Sequence, residues 1–235
     1  MNTVALRTPA LVLAAAGLAW AITFERMHGM DQGPGTDLGG LGWYVGIWMT
    51  MTAAMMLPTV LPHVAWLTRR APALLFAVGY LAVWTAYGLA AYSLYRLVTA
   101  FDTGWLAWDE AGPYVAGGMI VAAGLYELTP LKRRSLRRCR RLRDDAGALR
   151  SGLEHGVDCV GCSGGLMLVL FAVGVMSLFW MAVVAAVIFA EKVLPRGAGL
   201  TRAVALGLVL LGLWVAMAPA SVPGLTEPGM EMMEA

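Results

Sequence analysis

Charge is what this sequence has least of. Asp, Glu, Lys and Arg together make up 14% of its 235 residues, where soluble domains carry about a quarter. Too few charges remain to cover a water-facing surface, and nothing in the chain reads as a soluble domain. The chain also lacks a Ser/His/Asp set, a P-loop and a dinucleotide fingerprint, so nothing supports hydrolysis or phosphoryl transfer, and no enzyme is expected. No repeat of solenoid period is visible. The net charge of +2 adds nothing to a case for nucleic acid. Cysteine is rare too, with three residues in the whole chain.

What the chain does have is apolar length. Hydrophobic residues make up 59% and the mean hydropathy is +0.69. A bilayer core about 30 Å thick takes roughly 20 helical residues to cross. Six stretches qualify, at 9–24, 41–62, 72–98, 111–130, 165–190 and 200–218. The fold expected is therefore all-α, a polytopic membrane bundle of about six transmembrane helices over residues 1–218. The first stretch is short and carries Ala19-Trp20-Ala21 like a signal cleavage site, but the poorly charged segment ahead of it favours an anchor.

Basic residues in short loops set orientation. Nine of the seventeen lie between the fourth and fifth stretches: Lys132, Arg133, Arg134, Arg137, Arg138, Arg140, Arg141, Arg143 and Arg150. Arg69 and Arg70 fall on the same side of a six-span chain, while Asp102, Asp109 and Glu110 fall on the other. The basic side is expected to be cytoplasmic, with both termini on it, in a bacterial inner membrane. Lys192, Arg196 and Arg202 dissent. The basic run is read as topogenic charge and an amphipathic extension on anionic headgroups, with no nucleic acid. The tail from 219 is Pro-rich and acidic, with Met230, Met232 and Met233, and is expected to be disordered.

The rare cysteines are not scattered. LEHGVDCVGCSGGLM, residues 153–167, holds His155, Cys159 and Cys162, and Cys139 lies twenty residues ahead of Cys159. A loop over 131–164 folding Cys139 back would gather three sulfurs and an imidazole, a set suited by softness to Cu(I) or Zn²⁺. With the fifth span beginning near Ser163, the pair would sit just ahead of a helix N-terminus, whose dipole favours thiolates. Gly161, Gly164 and Gly165 would let the backbone turn there. A redox pair and chemically silent buried cysteines remain alternatives.

Methionine is abundant, at fifteen residues. Met49, Met51, Met55 and Met56 cluster in the second stretch, beside Pro58, Pro62 and His63, and Met167, Met176 and Met181 lie in the fifth. Thioethers bind Cu(I) and largely ignore Zn²⁺, although a single Met is ordinarily apolar filler. Met49, Met55, Met56 and Met176 are candidates for a secondary metal path, with Met49, Met56 and Met176 expected to face the bundle interior. His28 between Met27 and Met30 adds a small copper-like cluster. Glu127 is the acid nearest a span interior, a candidate for polar support or for pairing with Lys132 or Arg133. Glu191 and Lys192 read as an interface pair.

Several of these pieces together resemble the DUF2182 family, predicted metal-binding integral membrane proteins of bacteria, some regarded as copper chaperones for copper oxidases. The residues that carry the resemblance are AAGLYELTPLK, RRCR, HGVDCVGCSGGLM, GVMSLFWMAVVAAV, the closing Glu191-Lys192 and the earlier W-M-x-M-x-A-A-M-M-L-P, spread over most of 43–212. Family members often have cysteine where this chain has Ser135 and Ser163, which implies a single-ion site with fewer thiols. The function implied is uptake of Cu(I) and delivery to a copper enzyme. A zinc-stapled scaffold that binds partners, and a membrane thiol–disulfide oxidoreductase, are the competing readings.

Overall fold

The computed structural model describes residues 3–27, 38–61, 73–101, 110–141, 147–174, 177–194 and 197–223. Among them the chain is an all-α bundle. Its helices are α1 (Thr3–Met27), α2 (Leu41–Met56), α3 (Ala73–Phe101), α4 (Gly112–Glu127), α5 (Pro130–Cys139), α6 (Ala148–Val173), α7 (Leu178–Val193) and α8 (Gly197–Met217). Four segments are long and apolar enough to cross a membrane by themselves: Ala10–Met27, Leu74–Phe101, Ala148–Val173 and Gly199–Met217. The pair α4 and α5, bent by 67°, passes the same test only when taken together, as a broken span or a re-entrant loop. Large apolar side chains such as Leu11, Leu18, Leu74, Leu206 and Met217 stand exposed on the outside, as lipid-facing helices require.

Local chemistry sets the breaks. Pro58 brings no N–H to the helix, so α2 tightens into a 3₁₀ turn over Leu57–Val60, and the Thr59 hydroxyl donates to the Met56 carbonyl at 2.7 Å. Thr129 caps α5 by accepting from the Lys132 amide at 3.2 Å, with Pro130 at the first helical position. Gly174 ends α6 at φ +105°, a backbone region that side chains rarely tolerate.

α6 is the central helix, with 67% of its membrane-length window buried against 22–28% for the other three. It packs parallel to α3 through small residues. A Cβ on Gly152 would overlap the Phe76 carbonyl, and one on Gly156 would press on Val83 at 2.9 Å. Such Gly-x-x-x-Gly faces let membrane helices approach closely. α2 runs antiparallel to α3: Tyr44 donates to the Gly88 carbonyl at 3.0 Å and Trp48 to the Trp84 carbonyl at 2.8 Å. α4 and α8 are also antiparallel, with Gly117 against Gly212 and Gly124 against Ala205.

Two expectations change here. The stretch 165–190 is not one span: the chain turns at Gly174, and α7 returns along α6 so that Lys192 lies beside Cys159. The segment 131–164 is not one loop either, because α5 and the first half of α6 occupy most of it. The helices then alternate in direction between two ends of the bundle. α1 finishes beside the start of α2, where Arg26 sits over Trp43, and α8 begins at the end where α4 finishes. Hence α8 ends at the end opposite to the start of α1, not the same one. The tail 224–235 lies outside the described residues.

Candidate metal centre

The site is built from two helical faces. On α6, His155, Cys159 and Cys162 stand at i, i+4 and i+7, which is one face. On α5, the buried residues are Lys132, Ser135, Leu136 and Cys139, again one face, while Arg133, Arg134, Arg137 and Arg138 point outward. Where these faces meet, the sulfurs of Cys139, Cys159 and Cys162 all lie within 4.8 Å of one another. All three thiols are free and buried. His155 is buried beside them, its Nε2 3.9 Å from the Cys139 sulfur. Its ring nitrogen is not part of the grouping in which all ligand atoms lie within 4.8 Å of one another.

α5 has to be held firmly for this to work, and charged side chains hold it. Lys132 is fully buried, bonded to the Glu127 carboxylate and to Glu191 Oε2 at 2.7 Å. That network joins the start of α5 to the ends of α4 and α7. Arg140 closes the other end of α5 by donating to the carbonyls of Glu191 and, at 3.0 Å, Leu194. Arg138 approaches Asp158 of α6 at 3.9 Å. Part of the basic run read as topogenic is therefore structural.

Two groups beside the sulfurs were missed by sequence reasoning. Lys192 Nζ lies 2.9 Å from the Cys159 sulfur, 3.4 Å from Thr59 Oγ1 and 3.8 Å from the Met56 sulfur. The Tyr80 hydroxyl lies 3.0 Å from the Cys159 sulfur. Glu191 and Lys192 are thus not an interface pair; each serves a different buried partner. The available signal was a Glu-Lys pair closing a helix of otherwise apolar residues, which two buried sites can explain as well as one interface.

Other expectations fare unevenly. Cys159 and Cys162 lie well inside α6, not ahead of a helix N-terminus. Gly161, Gly164 and Gly165 make no turn; they are helical and sit against Ser135, Tyr87 and Tyr126. Met55 and Met56 are buried, as is Met51, but Met49 is 39% exposed and faces outward. Helical spacing alone does not separate them, because Met49 and Met56 are seven residues apart and share a face; Met56 is buried at the end of α2 beside Lys192, whereas Met49, two turns earlier, is not covered. Met167 and Met181 are buried in the same core. Met176, His28, Met30, Pro62 and His63 lie outside the described residues. Glu127 supports the site through Lys132, as described.

Three buried thiols this close together can, once deprotonated, hold a soft cation such as Cu(I) or Zn²⁺. The model of the PpoB2 family, described as copper chaperone, matches residues 45–215, a span from α2 into α8 that contains every group named above at the sulfurs. The chain belongs to the PpoB2 copper-chaperone family. That agrees with the resemblance read from the motifs. No curated protein and no solved structure matches the chain. Within the matched residues, the sulfur cluster is built from two helices and backed by the Lys192 ammonium. Ser135 and Ser163, where cysteines are often found in the resembling family, both adjoin it: Ser135 lies against Gly161, and the Ser163 hydroxyl donates to the Cys159 carbonyl at 2.8 Å.

Proposed function

We propose that this chain takes up Cu(I) as cargo on Cys139, Cys159 and Cys162, with His155 as a flanking ligand, and passes it to a copper-dependent enzyme. The observation that carries this reading is the mutual approach of three buried sulfurs within 4.8 Å. Thiolates are the ligands that select Cu(I), which accepts low coordination numbers, and binding releases the thiol protons. Cu(I) held by a pair of thiolates is net negative, and the Lys192 ammonium 2.9 Å from Cys159 neutralises that charge in a buried setting. Met56, whose sulfur lies 3.8 Å from the Lys192 ammonium, is the thioether for onward exchange; Met55 and Met51 continue along its helix as buried side chains.

The sulfur cluster sits at the basic end of the bundle, which we assign to the cytoplasmic face of a bacterial inner membrane. The bundle over residues 1–218 then acts as one transmembrane unit. A structural zinc staple is the second reading, favoured by His155 as a fourth ligand 3.9 Å from Cys139. Elemental analysis of the purified protein decides between them. Copper near one equivalent per chain, lost in Cys159→Ser/Cys162→Ser, is expected. Stoichiometric zinc that copper does not displace would sink the cargo reading. Delivery is read separately: the Cys159→Ser variant should lower copper-enzyme activity in the same cell, and unchanged activity would leave binding without delivery.

A further inference from the structure

Beside the sulfur cluster, on the outer side of α5, lies a second feature that copper does not use. Between α5 and the first turns of α8 is a half-open pocket of about 380 Å³, with Arg133, Arg137, Arg140, Thr201 and Arg202 on its wall. Glu127 is the single carboxylate lining it, and that carboxylate is already held by Lys132. Arg133 donates to the Leu128 carbonyl and Arg140 to those of Glu191 and Leu194, so both spend hydrogen bonds on backbone and neutralise nothing. Arg137 and Arg202 have no ion pair among the described residues. Four arginines thus line one cavity, and among the described residues its one carboxylate, Glu127, is already held by Lys132.

Guanidinium forks match phosphate oxygens in pairs, and a cluster of them repels itself until an anion enters. The surroundings say which anion. Leu206, Leu210 and Leu213 follow Arg202 along one face of α8 at spacings of four, four and three, and all are exposed. On the α4 side, Leu128 on the pocket wall and Leu125 one turn before it are exposed as well. A soluble anion has no use for apolar stripes running away from its site. We propose that this pocket binds the phosphate headgroup of an anionic glycerophospholipid, whose acyl chains lie along the exposed leucines of α4 and α8. The position fits: the pocket sits where apolar α4 and α8 give way to basic α5, at headgroup depth on the basic end.

The test uses the full chain, purified in mild detergent and loaded with phosphatidylglycerol or phosphatidylcholine. Lipids retained after delipidation are counted by native mass spectrometry. Wild type should hold one phosphatidylglycerol more firmly than phosphatidylcholine, and Arg137→Gln/Arg202→Gln should weaken that retention about tenfold. Both arginines are exposed and have no ion pair among the described residues, so helix content by circular dichroism should not change. Arg137→Lys/Arg202→Lys, which keeps the charge and removes the fork, should fall between them. Arg150→Gln, on the exposed Arg150–Glu154 pair of α6, is the control and should retain lipid as wild type does. Equal retention of the two lipids, or equal loss in the control, overturns the proposal. So does inorganic phosphate that displaces phosphatidylglycerol and thermally stabilises lipid-free protein as well as the lipid does, since that would mark a free-anion site.

Discussion

Cys159 meets more of the molecule than any other residue in the cluster. Its sulfur is near Cys139 and Cys162, the Tyr80 hydroxyl and the Lys192 ammonium, so ligands and counter-charge come from α3, α5, α6 and α7 together. If Lys192 neutralises the loaded site, Lys192→Gln should weaken Cu(I) retention about tenfold or more, one decade being about 1.4 kcal/mol. Lys192→Arg, which keeps the charge, should recover part of it. Competition against a Cu(I) chelator measures both, and wild-type affinity in the Gln variant would remove Lys192 from the mechanism. The cysteines were legible because rare residues in a C-x-x-C draw the eye. Lys192 was not, because a lysine at the end of an apolar helix has an ordinary reading at the membrane surface.

Helix α5 is short, and charged side chains hold it at both ends. Lys132→Met should be severe: it leaves the Glu127 and Glu191 carboxylates buried without their cation, and breaking a buried pair costs about 3–5 kcal/mol. A loss in thermal unfolding temperature, with metal retention falling alongside it, is the expected outcome; a stable variant with full metal content would show that α5 is held otherwise. The contact between α6 and α3 depends instead on having no side chain. Gly156→Val would press on Val83 and the Tyr80 carbonyl, and overpacking of that kind costs about 1–3 kcal/mol. It should also shift Tyr80 away from Cys159. Gly118→Ala, where nothing lies within 4 Å, should leave stability unchanged, and equal damage from the two would discredit the packing argument.

Across the whole molecule, the turn at Gly174 decides orientation. Read as a single span, 165–190 leaves Lys192, Arg196 and Arg202 on the side opposite the other basic residues. With α7 returning along α6, Lys192 and Arg202 join Lys132 and Arg140 at one end, and the positive-inside rule no longer has a dissenting vote from them. Single cysteines in a background lacking the native three test this directly. Arg150→Cys should react with a membrane-impermeant reagent from one side only, and Glu110→Cys and Ser221→Cys from the other. Ser221→Cys labelled from the same side as Arg150→Cys would restore an even number of crossings.

Some of this was settled by composition and spacing. Scarce charge and long apolar runs point to helices long enough to cross a membrane, since backbone polar groups in lipid are satisfied only within helices or closed barrels. The one-face spacing of His155, Cys159 and Cys162 is equally a property of the sequence once the segment is helical. Three-dimensional packing decided what spacing leaves open. Nothing local shows that Gly174 adopts a positive φ and turns the chain, because glycine is just as compatible with a continuing membrane helix. Nothing local brings Cys139 to Cys159 either; that follows from Lys132 on α5 finding Glu127 of α4 and Glu191 of α7, and from Arg140 at the end of α5 finding the carbonyls that close α7. In a low-dielectric interior those long-range pairs are strong enough to fix a short helix, and their partners cannot be read from either member alone.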